Sequence, residues 1–181
     1  MHPVQIQRRK NRQKYHFHRR CRLKSGILFV LLVILDQLTK ALIRNAMVVG
    51  QSIPVIGNTL QLTYVENTGI AFGIPVAHPI IYIVLSIAAS IGIFIYLLTH
   101  RHEGFIVQIS LVLILSGAVG NLIDRILFGK VVDFVNVGFG PHRWPVFNVA
   151  DSVVVIGMGF LFAMLFFVKK NSSDEATADG G

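Results

Sequence analysis

Four long apolar runs restrict this chain to a membrane fold. They cover about residues 26–43, 79–98, 105–123 and 149–168, and each is close to the ~20 residues that an α-helix needs to cross ~30 Å of hydrocarbon. Hydrophobic residues make up 53% of the chain and charged residues only 14%, which is not a soluble composition. We therefore predict an all-α membrane protein in which four transmembrane helices form a bundle.

The basic residues predict the orientation of these helices. Nine of the 17 Lys and Arg residues lie in the first 24 positions, directly before the first apolar run. Because Lys and Arg are enriched on the cytoplasmic side of membrane spans, we predict that both termini are cytoplasmic. The domain organisation is then a basic tail over 1–25, a four-span domain over 26–168 and a disordered, polar tail over 169–181. The net charge of +8 is concentrated beside a span, so we predict no nucleic-acid partner.

The segments 44–78 and 124–148 become the two outer loops of this arrangement. In the first loop, residues 59–65 alternate between polar and apolar side chains after a Gly-Asn turn signal, which predicts a half-buried strand. We therefore expect a small extracytoplasmic β-sheet, followed by a short interfacial segment at 66–75.

The acidic residues indicate where chemistry takes place. The chain has nine Asp and Glu residues, and three of them, Asp124, Asp133 and Asp151, lie within 117–152 at the outer ends of two apolar runs. An ionisable group at a membrane edge is costly unless it is compensated, so it suggests a functional site. Two carboxylates in one pocket can share a proton, which allows one to activate water while the other donates to a substrate carbonyl. This pattern predicts peptide hydrolysis, with proton or cation transport as the alternative.

Simpler structural explanations exist for several of these residues. Asp151 lies three residues after Asn148, a spacing typical of a helix N-terminal capping pair. Asp36 and Lys40 are four residues apart within the first span and are expected to form an ion pair on one helical face. The residues alone leave open which two of the three outer aspartates would form a catalytic pair.

The histidine and cysteine pattern predicts no metal, cofactor or disulfide. The single cysteine, Cys21, lies in the basic tail. Among the seven histidines only the pairs His16/His18 and His100/His102 are closely spaced, and neither has partners in metal-ligand spacing.

Four separated motifs resemble those of the lipoprotein signal peptidase family, also called signal peptidase II. They are DQLTK at 36–40, ENTGIAFG at 66–73, GAVGNLIDRILFGKVVDF at 117–134 and FNVADS at 147–152. The resemblance extends from about residue 26 to 168, in the family's order. It implies a membrane aspartic endopeptidase that removes the signal peptide from diacylglyceryl-modified prolipoproteins by cleaving before the lipidated cysteine.

The resemblance also implies roles for individual residues. Asp133 and Asp151 correspond to the family's catalytic pair, and Asp124 is expected to support them. Further residues are expected to line the pocket or support the pair: Asn67, Asn121, Arg125, Asn148, Asp36 and Lys40.

The resemblance also implies where the protein acts. It implies a location in the bacterial cytoplasmic (inner) membrane, in contact with membrane lipids and lipidated substrates, with the active site at the outer face. We expect a monomer. A transporter would instead place its acidic residues at mid-membrane, on facing helices or in inverted repeats.

Overall fold

Four helices and a four-stranded sheet form the protein in the computed structural model. It describes the backbone over residues 3–69, 79–100 and 104–178, and side chains within 24–69, 80–81, 83–100 and 104–166. The helices are α1 (Pro3–Ala46), α2 (Pro79–Thr99), α3 (Phe105–Phe128) and α4 (Val149–Ala178). The strands are β1 (Ser52–Ile56), β2 (Leu60–Asn67), β3 (Val131–Phe139) and β4 (His142–Arg143).

Three helical segments of the described chain are long and apolar enough to cross a membrane. They are Lys24–Ala46, Phe105–Phe128 and Val149–Phe166, while the apolar part found in α2, Ile83–Thr99, is shorter. The membrane character predicted from composition is thus confirmed for three helices, and the fourth span remains a prediction. The disorder predicted for 169–181 also remains a prediction, as does the cytoplasmic location predicted for 1–25 and 169–181.

Close approach between α3 and α4 depends on small residues. A Cβ atom added at Gly117 would overlap the backbone of Ala150, and one added at Gly157 would lie 2.7 Å from the carbonyl oxygen of Ser110. Small residues let membrane helices pack backbone against backbone. This contact brings the N-terminal end of α4 against the middle of α3, where part of the candidate site lies.

The sheet is antiparallel and has the order β1-β2-β3-β4. The strand predicted over 59–65 is confirmed as β2, which follows a turn in which Gly57 has a φ of 49°. The interfacial segment predicted at 66–75 starts within β2, and its part from residue 70 onward lies outside the described residues.

Strand β3 differs from the sequence prediction. The sequence pattern predicts no regular element within the outer loop 124–148, whereas β3 fills Val131–Phe139 and pairs with β2. Its first four residues are all buried, so its side chains do not show the alternation that identifies a half-exposed strand. Helix α3 also continues past the predicted end at residue 123 and ends before Gly129, whose positive φ of 71° is typical of a helix C-terminus.

A small hydrophobic core fixes the sheet to the end of the first span. Ile43 near the C-terminal end of α1 and Met47 directly after it pack with Tyr64 of β2 and with Val132 and Phe134 of β3. Because Asp133 lies between two of these core residues, the packing determines the position of its backbone.

Candidate active site

Asn148 links the two aspartates that the resemblance singles out. Its side chain is fully buried, and its Nδ2 donates to Asp133 Oδ1 at 2.7 Å. Its Oδ1 accepts from the backbone N–H of Asp151 at 2.9 Å, while its own backbone N–H donates to Asp151 Oδ2 at 3.2 Å. This reciprocal pair confirms the capping arrangement predicted at the start of α4. One side chain therefore sets the position of both carboxyl groups.

Asp133 lies in a desolvated environment on β3. It is 2% exposed and accepts hydrogen bonds from Asn148 and from Nδ2 of Asn67, the latter at 2.9 Å. Burial raises the pKa of Asp133 to about 6, and the nearby Asp151 acts in the same direction, whereas the two amide hydrogen bonds oppose the rise. Asp133 is therefore suited to carry a proton at mildly acidic to neutral pH.

Asp151 lies in a different environment, in the first turn of α4. Its Oδ1 accepts a hydrogen bond from Asn121 Nδ2 at 2.7 Å, and its Oδ2 accepts the backbone N–H of Asn148. These donors and the start of α4 fix the orientation of the Asp151 carboxyl group. Asp133 and Asp151 are thus neighbouring acids in different environments. Such a difference allows one acid to act as the proton donor and the other as the base.

A buried charge cluster supports this pair from α1 and α3. Lys40 Nζ lies 2.9 Å from Asp36 Oδ2 and 3.2 Å from Asp124 Oδ2, and all three side chains are almost completely buried. The ion pair predicted between Asp36 and Lys40 is therefore confirmed. Lys40 also donates to Asn121 Oδ1 at 2.8 Å. Because an ammonium group can only donate, this contact turns the NH2 group of Asn121 toward Asp151.

The two aspartates of this cluster also bind backbone groups. Asp36 Oδ1 accepts the N–H of Ala150 at 2.9 Å, which ties the first turn of α4 to α1. Asp124 Oδ2 accepts the N–H of Val132 at 3.2 Å, which ties β3 to α3. The cluster thus holds both chain segments that carry Asp133 and Asp151.

Arg125 connects α3 with the end of β2. Its guanidinium donates to the carbonyl oxygens of Gly69 at 3.1 Å and Asn121 at 3.4 Å. The nine residues singled out in the sequence therefore all lie in one connected polar network: Asp36, Lys40, Asn67, Asn121, Asp124, Arg125, Asp133, Asn148 and Asp151.

Two members of this network were missed in the sequence. Arg44 lies 3.5 Å from Asp124 and over the ring of Phe128, and its spacing of four residues from Lys40 was a usable signal. Gln37 Nε2 donates to Asp36 and Asp124 at 3.1 and 3.3 Å. No spacing in the sequence identifies it, because these bonds depend on how α1 packs against α3.

Over the described part of the chain, the His, Cys, Asp and Glu side chains form no group of three or more that could hold an ion. The side chains around Asp133 and Asp151 are carboxyl groups, amides and buried cations.

Comparison with known proteins identifies the family. A model of the family described as signal peptidase (SPase) II matches residues 28–167. The chain belongs to the signal peptidase II family. The lipoprotein signal peptidase of Halothermothrix orenii is 42% identical over 144 residues, covering 80% of this chain and 96% of the relative. That of Syntrophus aciditrophicus is 38% identical over 160 residues, covering 83% and 99%.

A solved structure has the same fold as this signal peptidase II. It is described as a bacterial membrane enzyme and superposes with a TM-score of 0.77 at 32% identity, over 82% of this chain and 90% of that one. The predicted family is therefore confirmed, and the protein is a bacterial membrane peptidase. The comparisons give no support to the alternative of a proton or cation transporter.

Proposed function

We propose that this signal peptidase II removes the signal peptide from diacylglyceryl-modified prolipoproteins by cleaving before the lipidated cysteine, with Asp133 and Asp151 as its catalytic pair. The observation that carries this proposal is the shared contact with Asn148, which holds a desolvated carboxyl group beside one at a helix N-terminus. Family membership supports the substrate class. No metal or cofactor takes part in the proposed reaction.

The two acids take complementary roles in the proposed reaction. Asp151, held by Asn121 at the start of α4, takes a proton from the attacking water, while neutral Asp133 donates a proton to the scissile carbonyl oxygen. The resulting tetrahedral intermediate collapses as Asp151 passes its proton to the leaving amide nitrogen and Asp133 recovers its own. The C–N bond breaks and both carboxyl groups return to their starting protonation states.

The remaining polar residues act through this pair. Asn67 and Asn148 hold Asp133, while Asn121 holds Asp151 and is itself oriented by Lys40. Arg125, Asp36 and Asp124 hold the backbone segments that enclose the pocket.

The position of α4 supports an active site at the membrane edge. Its apolar part, Val149–Phe166, has 18 residues and is about 27 Å long at ~1.5 Å per residue, so Asp151 lies near the end of the span. Water is available at that depth, while acyl chains of a substrate can remain in the lipid. We place this site at the outer face of the cytoplasmic membrane, with α2 as the fourth span and both termini in the cytoplasm.

We propose a monomer as the functional unit, because one chain supplies all nine residues of the network. The nine basic residues in the N-terminal part of α1, over 8–24, support the cytoplasmic N-terminus through the enrichment of Lys and Arg on that side.

Purified protein in proteoliposomes provides the test of substrate class. The substrate is a prolipoprotein peptide with a diacylglyceryl-modified cysteine, and the control is the same peptide with an unmodified cysteine. We expect cleavage of the modified peptide only, and mass spectrometry should show a new N-terminus at the lipidated cysteine. Cleavage of both peptides at equal rates, or at another bond, would contradict the proposed specificity.

A further inference from the structure

Strands β2 and β3 change their pairing register halfway along their length. Residues 60–62 pair with 137–135, whereas residues 65–67 pair with 133–131. Between these two stretches β2 has two residues, Thr63 and Tyr64, where β3 has one, Phe134. An extra residue of this kind is a β-bulge, and bulges commonly re-aim side chains near functional sites.

This bulge decides whether Asn67 can reach Asp133. Side chains alternate between the two faces of a sheet, so a shift of one residue moves every following side chain to the opposite face. In the observed register Asp133 pairs with Val65, which lies on the same face as Asn67, and the diagonal contact allows the 2.9 Å hydrogen bond. In the register of residues 60–62, Asn67 would lie opposite Lys130 and on the face away from Asp133.

A chain of polar side chains holds the bulge in place. Thr63 Oγ1 lies 2.9 Å from Ser52 Oγ of β1 and accepts a hydrogen bond from Asn136 Nδ2 at 2.8 Å. Asn136 is 7% exposed, and its Oδ1 accepts from Arg143 Nε at 2.6 Å. Arg143 donates further to the backbone oxygens of Asn136 and Asn58, at 3.2 and 3.0 Å. We call Thr63, Asn136 and Arg143 the bulge clamp.

The backbone of the bulge is also paired. The N–H of Tyr64 donates to the Gln51 carbonyl at 3.0 Å, and the Tyr64 carbonyl accepts the N–H of Gly50 at 2.8 Å. A buried amide such as that of Asn136 is costly unless its polar atoms are bonded, so the clamp favours the one register that satisfies it. None of its three residues belongs to the network that surrounds the two aspartates.

We infer that the bulge clamp is a positioning device for catalysis, which fixes the β2–β3 register and thereby directs Asn67 onto Asp133. This inference rests on the proposed function, in which Asp133 is the acid. The clamp acts through Asn67, since its hydrogen bonds connect β1, β2, β3 and β4 and, in the described structure, none of them reaches Asp133 or Asp151. Loss of the clamp should therefore change the behaviour of Asp133 in the same way as loss of Asn67.

The test uses matched hydroxyl variants in one hairpin. Thr63→Val removes the acceptor for Asn136, Thr63→Ser retains it, and Thr59→Val makes the same change at a side chain for which the described structure shows no hydrogen bond. We expect Thr63→Val to lower kcat/KM by about tenfold, the upper end of the effect of losing one hydrogen bond between neutral groups. It should also move the basic limb of the pH profile to higher pH, the shift that we expect for Asn67→Ala, which removes a hydrogen bond that lowers the pKa of Asp133. Thr63→Ser and Thr59→Val should behave like the unmodified protein.

A double-mutant cycle separates this role from a general effect on folding. If the clamp acts through Asn67, combining Thr63→Val with Asn67→Ala should lower kcat/KM by clearly less than the product of the single effects. If the losses in kcat/KM of the two single variants multiply in the double variant, the inference is overturned. An unchanged pH profile in Thr63→Val would also overturn it. Arg143→Gln alters the exposed end of the clamp without touching the core, so it serves as a second variant if Thr63→Val does not fold. It should also move the basic limb of the pH profile to higher pH.

A crosslinking measurement does not depend on activity. In a Cys21→Ser background, Asn67→Cys with Val131→Cys places thiols at positions that pair across the strands. The crosslink should form readily and should weaken when Thr63→Val is added. If the register is unchanged by Thr63→Val, the inference is wrong even though the proposed function stands. If the register depends on Thr63 but the unmodified enzyme does not cleave a lipidated peptide, the proposed function fails instead.

Discussion

Replacing Lys40 with methionine tests the energetic role of the buried charge cluster. The ammonium lies 2.9 Å from Asp36 and 3.2 Å from Asp124, and no more than 2% of any of these side chains is exposed. Removing one partner of a buried pair costs about 3–5 kcal/mol, because the remaining charge stays buried without compensation. Asp36 retains the N–H of Ala150, and Asp124 retains Arg44 and the N–H of Val132, so we expect a value near the lower limit, about 3 kcal/mol.

The matched control is Lys130→Met. Lys130 lies 2.6 Å from Glu66, but its side chain is 39% exposed, and a surface pair of this kind contributes at most about 1 kcal/mol. Unfolding by SDS or heat in detergent micelles, followed through the fluorescence of Trp144, measures both variants on one scale. The double variant Asp36→Asn/Lys40→Met removes one uncompensated anion and should recover part of the loss. If Lys40→Met is destabilised no more than Lys130→Met, the cluster does not contribute as the structure indicates.

The pH dependence of cleavage and the packing of α3 give two further predictions. Since the pKa of Asp133 is raised to about 6 and its neutral form is the proposed acid, kcat/KM should fall as pH rises through the pKa of this group. Asn67→Ala removes a hydrogen bond that favours the ionised form of Asp133, so the basic limb of a pH–rate profile should move to higher pH, by about one unit. A shift to lower pH would contradict the assignment. Gly120→Ala places a Cβ 2.6 Å from Asp36 Oδ2 and should lower both unfolding stability and kcat, whereas Gly159→Ala, with no atom within 4 Å, should change neither.

Local spacing accounts for the parts of the site that the sequence reveals. Asn148 and Asp151 lie within one helical turn, as do Asp36 and Lys40, so a short pattern is enough to predict each contact. Gly129 is a further local signal, since glycine readily adopts the left-handed backbone conformation found at the end of α3.

Contacts between distant segments could not be predicted in this way. The bond from Lys40 to Asn121 joins residues 81 positions apart, and it exists only because α1 packs against α3. The hydrogen bond between Asn67 and Asp133 depends in addition on a bulge, which leaves no pattern in the composition of β2. Physical reasoning placed the acids at the membrane edge, but the family resemblance selected Asp133 and Asp151 from the three candidates.

The apolar segment around Asp133 shows why β3 was missed. Val131, Val132 and Phe134 are buried together with Asp133, so polar and apolar side chains do not alternate. A strand covered on both sides reads in the sequence as a short apolar run without a preferred period. Its identity as a strand comes from pairing with β2, which a local pattern does not contain.

The central claim is that Asp133 and Asp151 form the catalytic pair, and single Asp→Asn replacements test it most directly. The measurement is the rate of cleavage of a diacylglyceryl-modified prolipoprotein by Asp133→Asn and Asp151→Asn in proteoliposomes, with Glu66→Gln as a control and detergent unfolding as a check of folding. Loss of an acid or base group predicts a decrease of at least about 100-fold for each aspartate variant and little change for the control. A folded Asp133→Asn or Asp151→Asn protein that cleaves at the unmodified rate would contradict the claim.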